Sequence, residues 1–291
     1  MVLELLSILA PVFVCAALGF GWARSGRPYD QEFVTTLIMN FGAPCLIFSQ
    51  LVSLRVERDV IAQMALGAVL AIVSFTLIGT LVLRAMRLPR HTYLGPLMFC
   101  NAGNLGLALS LFTFGPEGLS LASVFFAVMS ITHFTVGVWI WSERASLREL
   151  LQTPLSYTAV LAVLVLLTGF PVPEWIQNTT ELLGALTIPL MLLTLGVSLS
   201  RMHVSRLPRA VALSLLRLSM GFAVGVAVSE LLGFEGVARG VMILECSMPS
   251  AVFNYIFARR YQRSPDEVAS LVLVSTLIAL VVLPFLLAWL L

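Results

Sequence analysis

Apolar residues follow one another along this chain for about 20 positions at a time, and the gaps between the runs are short. The hydrocarbon core of a bilayer is crossed by about 20 helical residues, so each run has the length of one crossing. We read spans at 2–22, 32–52, 60–83, 93–114, 117–140, 154–171, 180–199, 209–232, 236–258 and 267–290. Several links are only a turn long, such as Gly115-Pro116 and Gly233-Phe234-Glu235. The pattern predicts an all-α membrane protein of ten transmembrane helices, with no room for a soluble domain.

Two runs are interrupted at their centres. The fourth carries Cys100-Asn101-Ala102-Gly103-Asn104-Leu105-Gly106, and the ninth carries Ser247-Met248-Pro249-Ser250. Glycine weakens a helix, and proline removes an N–H and clashes with the preceding turn. Non-helical backbone at membrane depth survives only where protein or a water-lined cavity surrounds it. The second halves of the two helices should begin near Asn104 and Ser250. Their N-termini would offer unpaired N–H groups and positive dipole ends, which suit an anion, most simply a carboxylate. The candidate substrate-binding residues are Asn101, Gly103, Asn104, Ser247, Pro249, Ser250 and Asn254, with Asn40, near Pro44 in the second span, as a further cavity residue. The competing reading is structural: prolines kink membrane helices, and asparagines bond neighbouring ones. Two deep polar breaks at matching places favour the site.

The places match through an internal repeat. A shift of 145 lays Pro44 on Pro189, Val52-Ser53-Leu54 on Val197-Ser198-Leu199, Gly95 on Gly240, and the Asn101–Asn104 interruption on Cys246–Pro249. Five spans per half is an odd number, so the second half enters the membrane from the opposite side. Inverted repeats with interrupted helices are a mark of secondary transporters. The expected units are 1–141 and 154–291.

Composition agrees. The chain of 291 residues is 59% hydrophobic and 11% charged, against about 25% charged in a soluble domain. The first run has no basic residue before it and is longer than a signal h-region, so it reads as a span. Every basic residue is arginine, and 13 of the 17 lie in loops after odd-numbered spans, from Arg24 to Arg263. By the positive-inside rule those loops are cytoplasmic, and both termini lie outside. Scattered over short loops, the arginines form no surface for nucleic acid. The four cysteines fall inside apolar runs without disulfide or metal spacing.

Glu245, Arg217 and His133 are the charged or titratable residues deep in spans. A carboxylate at the bilayer centre costs roughly 2.5–3.5 kcal/mol on insertion scales. Glu245 is therefore the candidate for coupling to Na+ or H+, and the one candidate metal site, for sodium. The rival readings are a structural proton carrier or an ion pair with Arg217. Arg217 could instead reach the cytoplasmic interface, and His133 reads as a packed side chain. Enzyme signatures are absent, among them HExxH, G-x-S-x-G and the P-loop, and no cofactor is indicated.

The residues carry a resemblance. The segment from Asn101 to Ala122, NAGNLGLALSLFTFGPEGLSLA, resembles the fourth span of the auxin efflux carrier family. The segment from Ser247 to Pro284 resembles its ninth and tenth spans, and Asn40–Phe48 its second. The resemblance implies two inverted five-span repeats whose helices 4 and 9 cross at the substrate site. It implies a scaffold of spans 1, 2, 6 and 7, and a core of spans 3–5 and 8–10 that moves like an elevator. It aligns the family's crossover asparagine with Asn101, the following glycine with Gly106 and the ninth-span proline with Pro249. Ala108 stands where the family usually has proline. Glu245-Cys246-Ser247 resembles the acidic segment of the related bile acid:sodium symporters. The expected function is a cell-membrane carrier for small organic anions such as mono- or dicarboxylates, of prokaryotic type, surrounded by lipid, with a homodimer contact on the scaffold. A sodium-coupled symporter of the bile acid type is the alternative.

Overall fold

The computed structural model describes residues 2–52, 58–142, 157–158, 161, 164–165, 168 and 170–291. All regular elements among them are helical, and no sheet is present. The helices are α1 (Val2–Arg24), α2 (Gln31–Leu37), α3 (Ala43–Val52), α4 (Arg58–Ala85), α5 (Arg90–Met98), α6 (Leu107–Thr132), α7 (Val138–Ser142), α8 (Glu174–Ala185), α9 (Thr187–Arg201), α10 (Leu207–Leu232), α11 (Gly236–Cys246), α12 (Val252–Arg260) and α13 (Pro265–Leu290). Wider π turns lie at Ile38–Gly42, Ala102–Gly106 and His133–Gly137.

Among the described residues, 7 stretches are long and apolar enough to cross a membrane. The difference from ten runs has three sources. Runs four and five join in one stretch, Ala102–Trp141. Run nine is divided into α11 and α12, of 11 and 9 residues, each too short alone. Run six and the 142–153 link lie largely outside the described residues. The joined stretch still reverses where the sequence places a link. Gly115 has φ 68° and ψ −157°, a conformation open to glycine, and Pro116 starts the next helix. A Cβ on Gly118 would lie 2.6 Å from the Ser110 carbonyl. Eight residues along a straight helix would be separated by about 12 Å.

Small residues let helices approach closely where hydrophobic segregation gives little drive. A Cβ on Gly19 of α1 would strike the Leu193 carbonyl of α9, and one on Gly196 of α9 would strike the Ala16 carbonyl of α1. Polar ties join α9 to the link after α1 and to the start of α2. The Tyr29 hydroxyl lies 2.7 Å from Thr194 Oγ1, Gln31 Nε2 donates to Ser198 Oγ at 2.9 Å, and Arg201 donates to the Tyr29 carbonyl. Burial raises the Tyr29 phenol above its ordinary pKa, keeping it neutral. Gly184 of α8 packs on the Leu46 backbone of α3. A second network ties α5, α10 and α13: Arg209 Nη1 donates to the Tyr93 hydroxyl at 3.0 Å and pairs with Glu267 at 3.2 Å, where Arg206 also pairs. Gly196→Val should therefore separate α1 from α9 at a cost of about 1–3 kcal/mol, as overpacking does, read as a lower melting temperature in detergent. An unchanged melting temperature would show that the contact is dispensable.

Candidate functional site

The site forms where two helices stop. Helix α5 ends at Met98, and Phe99 is extended (φ −99°, ψ 109°). Helix α11 ends at Cys246: the Ser247 N–H still reaches Ile243 and Leu244, and the Met248 N–H reaches the Glu245 carbonyl. Pro249 then has no N–H to continue with, so it lies in unwound chain rather than kinking a continuous helix. The two unwound segments run antiparallel. Asn101 N–H donates to the Pro249 carbonyl at 2.7 Å, Ala251 N–H donates to the Phe99 carbonyl at 3.0 Å, and Cys100 sits opposite Ser250. Side chains satisfy further freed groups. Ser250 N–H donates to Ser275 Oγ of α13 at 3.2 Å, and Asn254 Nδ2 donates to both the Phe99 carbonyl and Ser250 Oγ at 3.1 Å. This is the internal satisfaction that a bilayer demands of irregular backbone. The helices resume at Ala102, through a π turn into α6, and at Val252.

Two small adjoining cavities lie against the first break. Met39, Asn104, Met191 and Phe253 line both. The larger is completed by Cys100–Gly103, Phe126, Met129, Ser130, His133 and Ala251; the smaller by Gln31, Thr35, Ile38, Thr194, Val252 and Ile256. They therefore sit between the α2–α9 face and the unwound pair. Asn101 Nδ2 is buried without a hydrogen-bond partner. His133 stacks on Phe99 (centroids 4.0 Å apart, 8° between planes) and meets Phe257 edge-on. No arginine lines either cavity, and the chain contains no lysine.

The sequence candidates thus separate. Asn101, Gly103 and Asn104 form the wall. Pro249, Ser250 and Asn254 stand behind it and hold its backbone. Ser247 faces another way, at a groove between α10 and α13. Asn40 is exposed and does not line these two cavities, whereas Ile38 and Met39 of its π turn do.

Glu245 lies beyond the wall, wholly buried. Its carboxylate presses on Gly106, where an added Cβ would collide with Oε2. Oε1 accepts from Ser110 Oγ at 3.2 Å, and Oε2 has no hydrogen-bond partner. Ser110 was missed as a candidate, yet it stands four residues after Gly106 and so on the same helix face. Arg217, equally buried, does not extend to the interface. It donates through Nη2 to the Cys246 carbonyl at 3.0 Å and lies over the Phe75 ring at 4.4 Å, and none of the described ion pairs joins it to Glu245.

A bundle of apolar helices long enough to cross a bilayer, with a partly polar cavity against two unwound segments, marks an integral membrane protein. Comparison with known proteins gives the family. The profile of the membrane transport protein family, that of the auxin efflux carriers, matches residues 5–146 and 142–287, and the chain belongs to it. It is 27% identical over 203 residues to an uncharacterized transporter of Methanocaldococcus jannaschii, covering 64% of each chain. It is 28% identical over 273 residues to one of Methanothermobacter thermautotrophicus, covering 88% of this chain and 87% of that one. Auxin efflux carrier component 1 of Arabidopsis thaliana is 26% identical over 140 residues, 46% of this chain and 22% of its own. The chain spans 64% and 87% of the two archaeal relatives and 22% of the plant one. As a member of a transporter family, it is not an enzyme.

Proposed function

We propose that the protein is a secondary carrier for small organic anions, mono- or dicarboxylates, in the cell membrane. In this reading the paired breaks are the crossing of two inverted five-span repeats, with both termini outside. The observation that carries it is the antiparallel pairing of Phe99–Asn101 with Pro249–Ala251 beside a cavity. One face of that cavity is the start of a half-helix, whose N–H groups and dipole favour a carboxylate. The uncharged wall limits attraction, which suits a site that must release its ligand on each cycle.

Alternating access follows from the two packing groups. The α1–α9 and α3–α8 contacts belong to the scaffold, and the α5–α10–α13 network to a core that slides against it. The cavities lie between the groups, where such a slide would open one side and close the other. Coupling falls to Glu245. With one hydroxyl donor and Gly106 pressed on Oε2, the carboxylate has space for a proton rather than for the oxygen shell of a sodium ion. Lipid surrounds the outer faces, and a homodimer would meet through spans 1, 2, 6 and 7.

The test uses purified protein in liposomes loaded with unlabelled succinate or benzoate. Labelled acid outside should accumulate by exchange. Single cysteines in a cysteine-free background should label from the cytoplasmic side at Arg87→Cys and from the outer side at Glu235→Cys. Labelling from the reverse sides would overturn the orientation, and no exchange of either acid would count against the carboxylate reading.

A further inference from the structure

The guanidinium of Arg217 is the least expected group in the molecule. It is wholly buried in a membrane span, and none of the described ion pairs joins it to a carboxylate. Its Nη2 donates to the Cys246 carbonyl, the last of α11. Nε and Nη1 have no hydrogen-bond partner. The thiols of Cys100 and Cys246, one from each broken helix, lie beside it. Helix α10 is brought this close by Gly221, where a Cβ would strike the Cys246 carbonyl, and by Gly225, where one would lie 2.9 Å from Ile243 Cα. The approach of backbone to backbone delivers the charge to the end of the half-helix.

The chemistry of that end defines what belongs there. The last carbonyls of a helix have no intrahelical partner and carry the negative end of its dipole. In a broken membrane helix water does not reach them freely, and a cation is the natural complement; in many carriers it is a sodium ion. Here the last carbonyl of α11 already holds a cation, tethered by a covalent stem. The Phe75 ring beneath it adds cation–π attraction, which is stronger in a dry site. We infer that Arg217 is a resident cation of the ninth-span break, occupying the role that a bound sodium ion would otherwise take, so that the cycle needs no sodium. The consequence for transport rests on the carrier reading above; the occupancy of the break does not.

The experiment separates the two. Wild type, Arg217→Lys and Arg217→Ala are melted in detergent in choline chloride, sodium chloride and choline chloride with a few millimolar ethylguanidinium, at equal ionic strength. Sodium should leave wild type and Arg217→Lys within about 1 °C of choline, since a ligand that does not bind the native state adds no stability. Arg217→Ala should melt lower, and ethylguanidinium should raise it by several degrees without moving wild type. A residue important only for packing would show no such rescue. Sodium-dependent stabilisation of wild type overturns the inference, as does Arg217→Ala that melts like wild type or ignores ethylguanidinium. If Arg217→Ala does not fold, Arg217→Lys decides: a folded, sodium-indifferent protein supports a tethered charge, and an unfolded one overturns it. In liposomes, succinate and benzoate exchange should run equally in sodium and choline. Absence of exchange alongside the expected melting results counts against the carrier reading and leaves Arg217 in its place.

Discussion

Asn101→Ala is expected to lower succinate or benzoate exchange at least tenfold while leaving the melting temperature within about 2 °C of wild type. Its Nδ2 is buried at the cavity and bonds nothing in the protein, so its removal deprives a ligand and not the fold. The backbone of Asn101 carries the structural work, through the bond to Pro249 and the turn that receives Leu105 and Gly106, and alanine keeps both. Asn254→Ala should do the reverse. Its Nδ2 joins the Phe99 carbonyl and Ser250 Oγ across the paired segments. Deleting one partner of a buried bond costs about 1–3 kcal/mol, so this variant should melt several degrees lower. Melting and exchange measured on both variants decide the matter. Equal loss of stability in the two would mean that Asn101 is only glue between helices. Full exchange by a folded Asn101→Ala would remove it from the site.

The contrast between these two asparagines was not legible in the sequence, where both appear as amides beside a break. What was legible was the presence of the breaks. Glycine, asparagine and proline at the centre of an apolar run have few explanations in a bilayer, and the helices do stop within a few residues of them. Which groups meet across the break depends on how two distant segments pair, and periodicity carries no record of that. The second span shows the same limit. The π turn at Ile38–Gly42 alters which residues face inward, and nothing in the local composition announces it. Arg217 is a similar case: its depth was evident, but its attachment to a carbonyl rather than to Glu245 follows from the glycine-mediated approach of α10 to α11. Ser110, by contrast, could have been found by taking the residue one helical turn beyond Gly106.

Glu245→Gln is expected to abolish accumulation driven by a proton gradient while exchange between equal pools persists. The glutamine amide has the shape of the carboxyl group, can still accept from Ser110 through its oxygen, and fits the same contact with Gly106. Only the ability to hold and release a proton is lost. A bare carboxylate here is costly, at roughly 2.5–3.5 kcal/mol for a charge at the helix centre, so the protonated and the empty forms should favour different positions of the core. In the proposed cycle that difference would link ion movement to substrate movement, because a ligand shifts a two-state equilibrium only by its differential affinity for the two states. In the proposed cycle exchange needs the core to move loaded in both directions, and a permanently neutral residue 245 would allow this. A purely structural Glu245 predicts otherwise: its replacement would lower the melting temperature and reduce uptake and exchange together. Gradient-driven uptake and equal-pool exchange, measured side by side in liposomes with and without an imposed pH difference, distinguish these cases. Wild-type proton dependence in the glutamine variant would exclude Glu245 from coupling, and the proton would then have to travel with the substrate or through another residue.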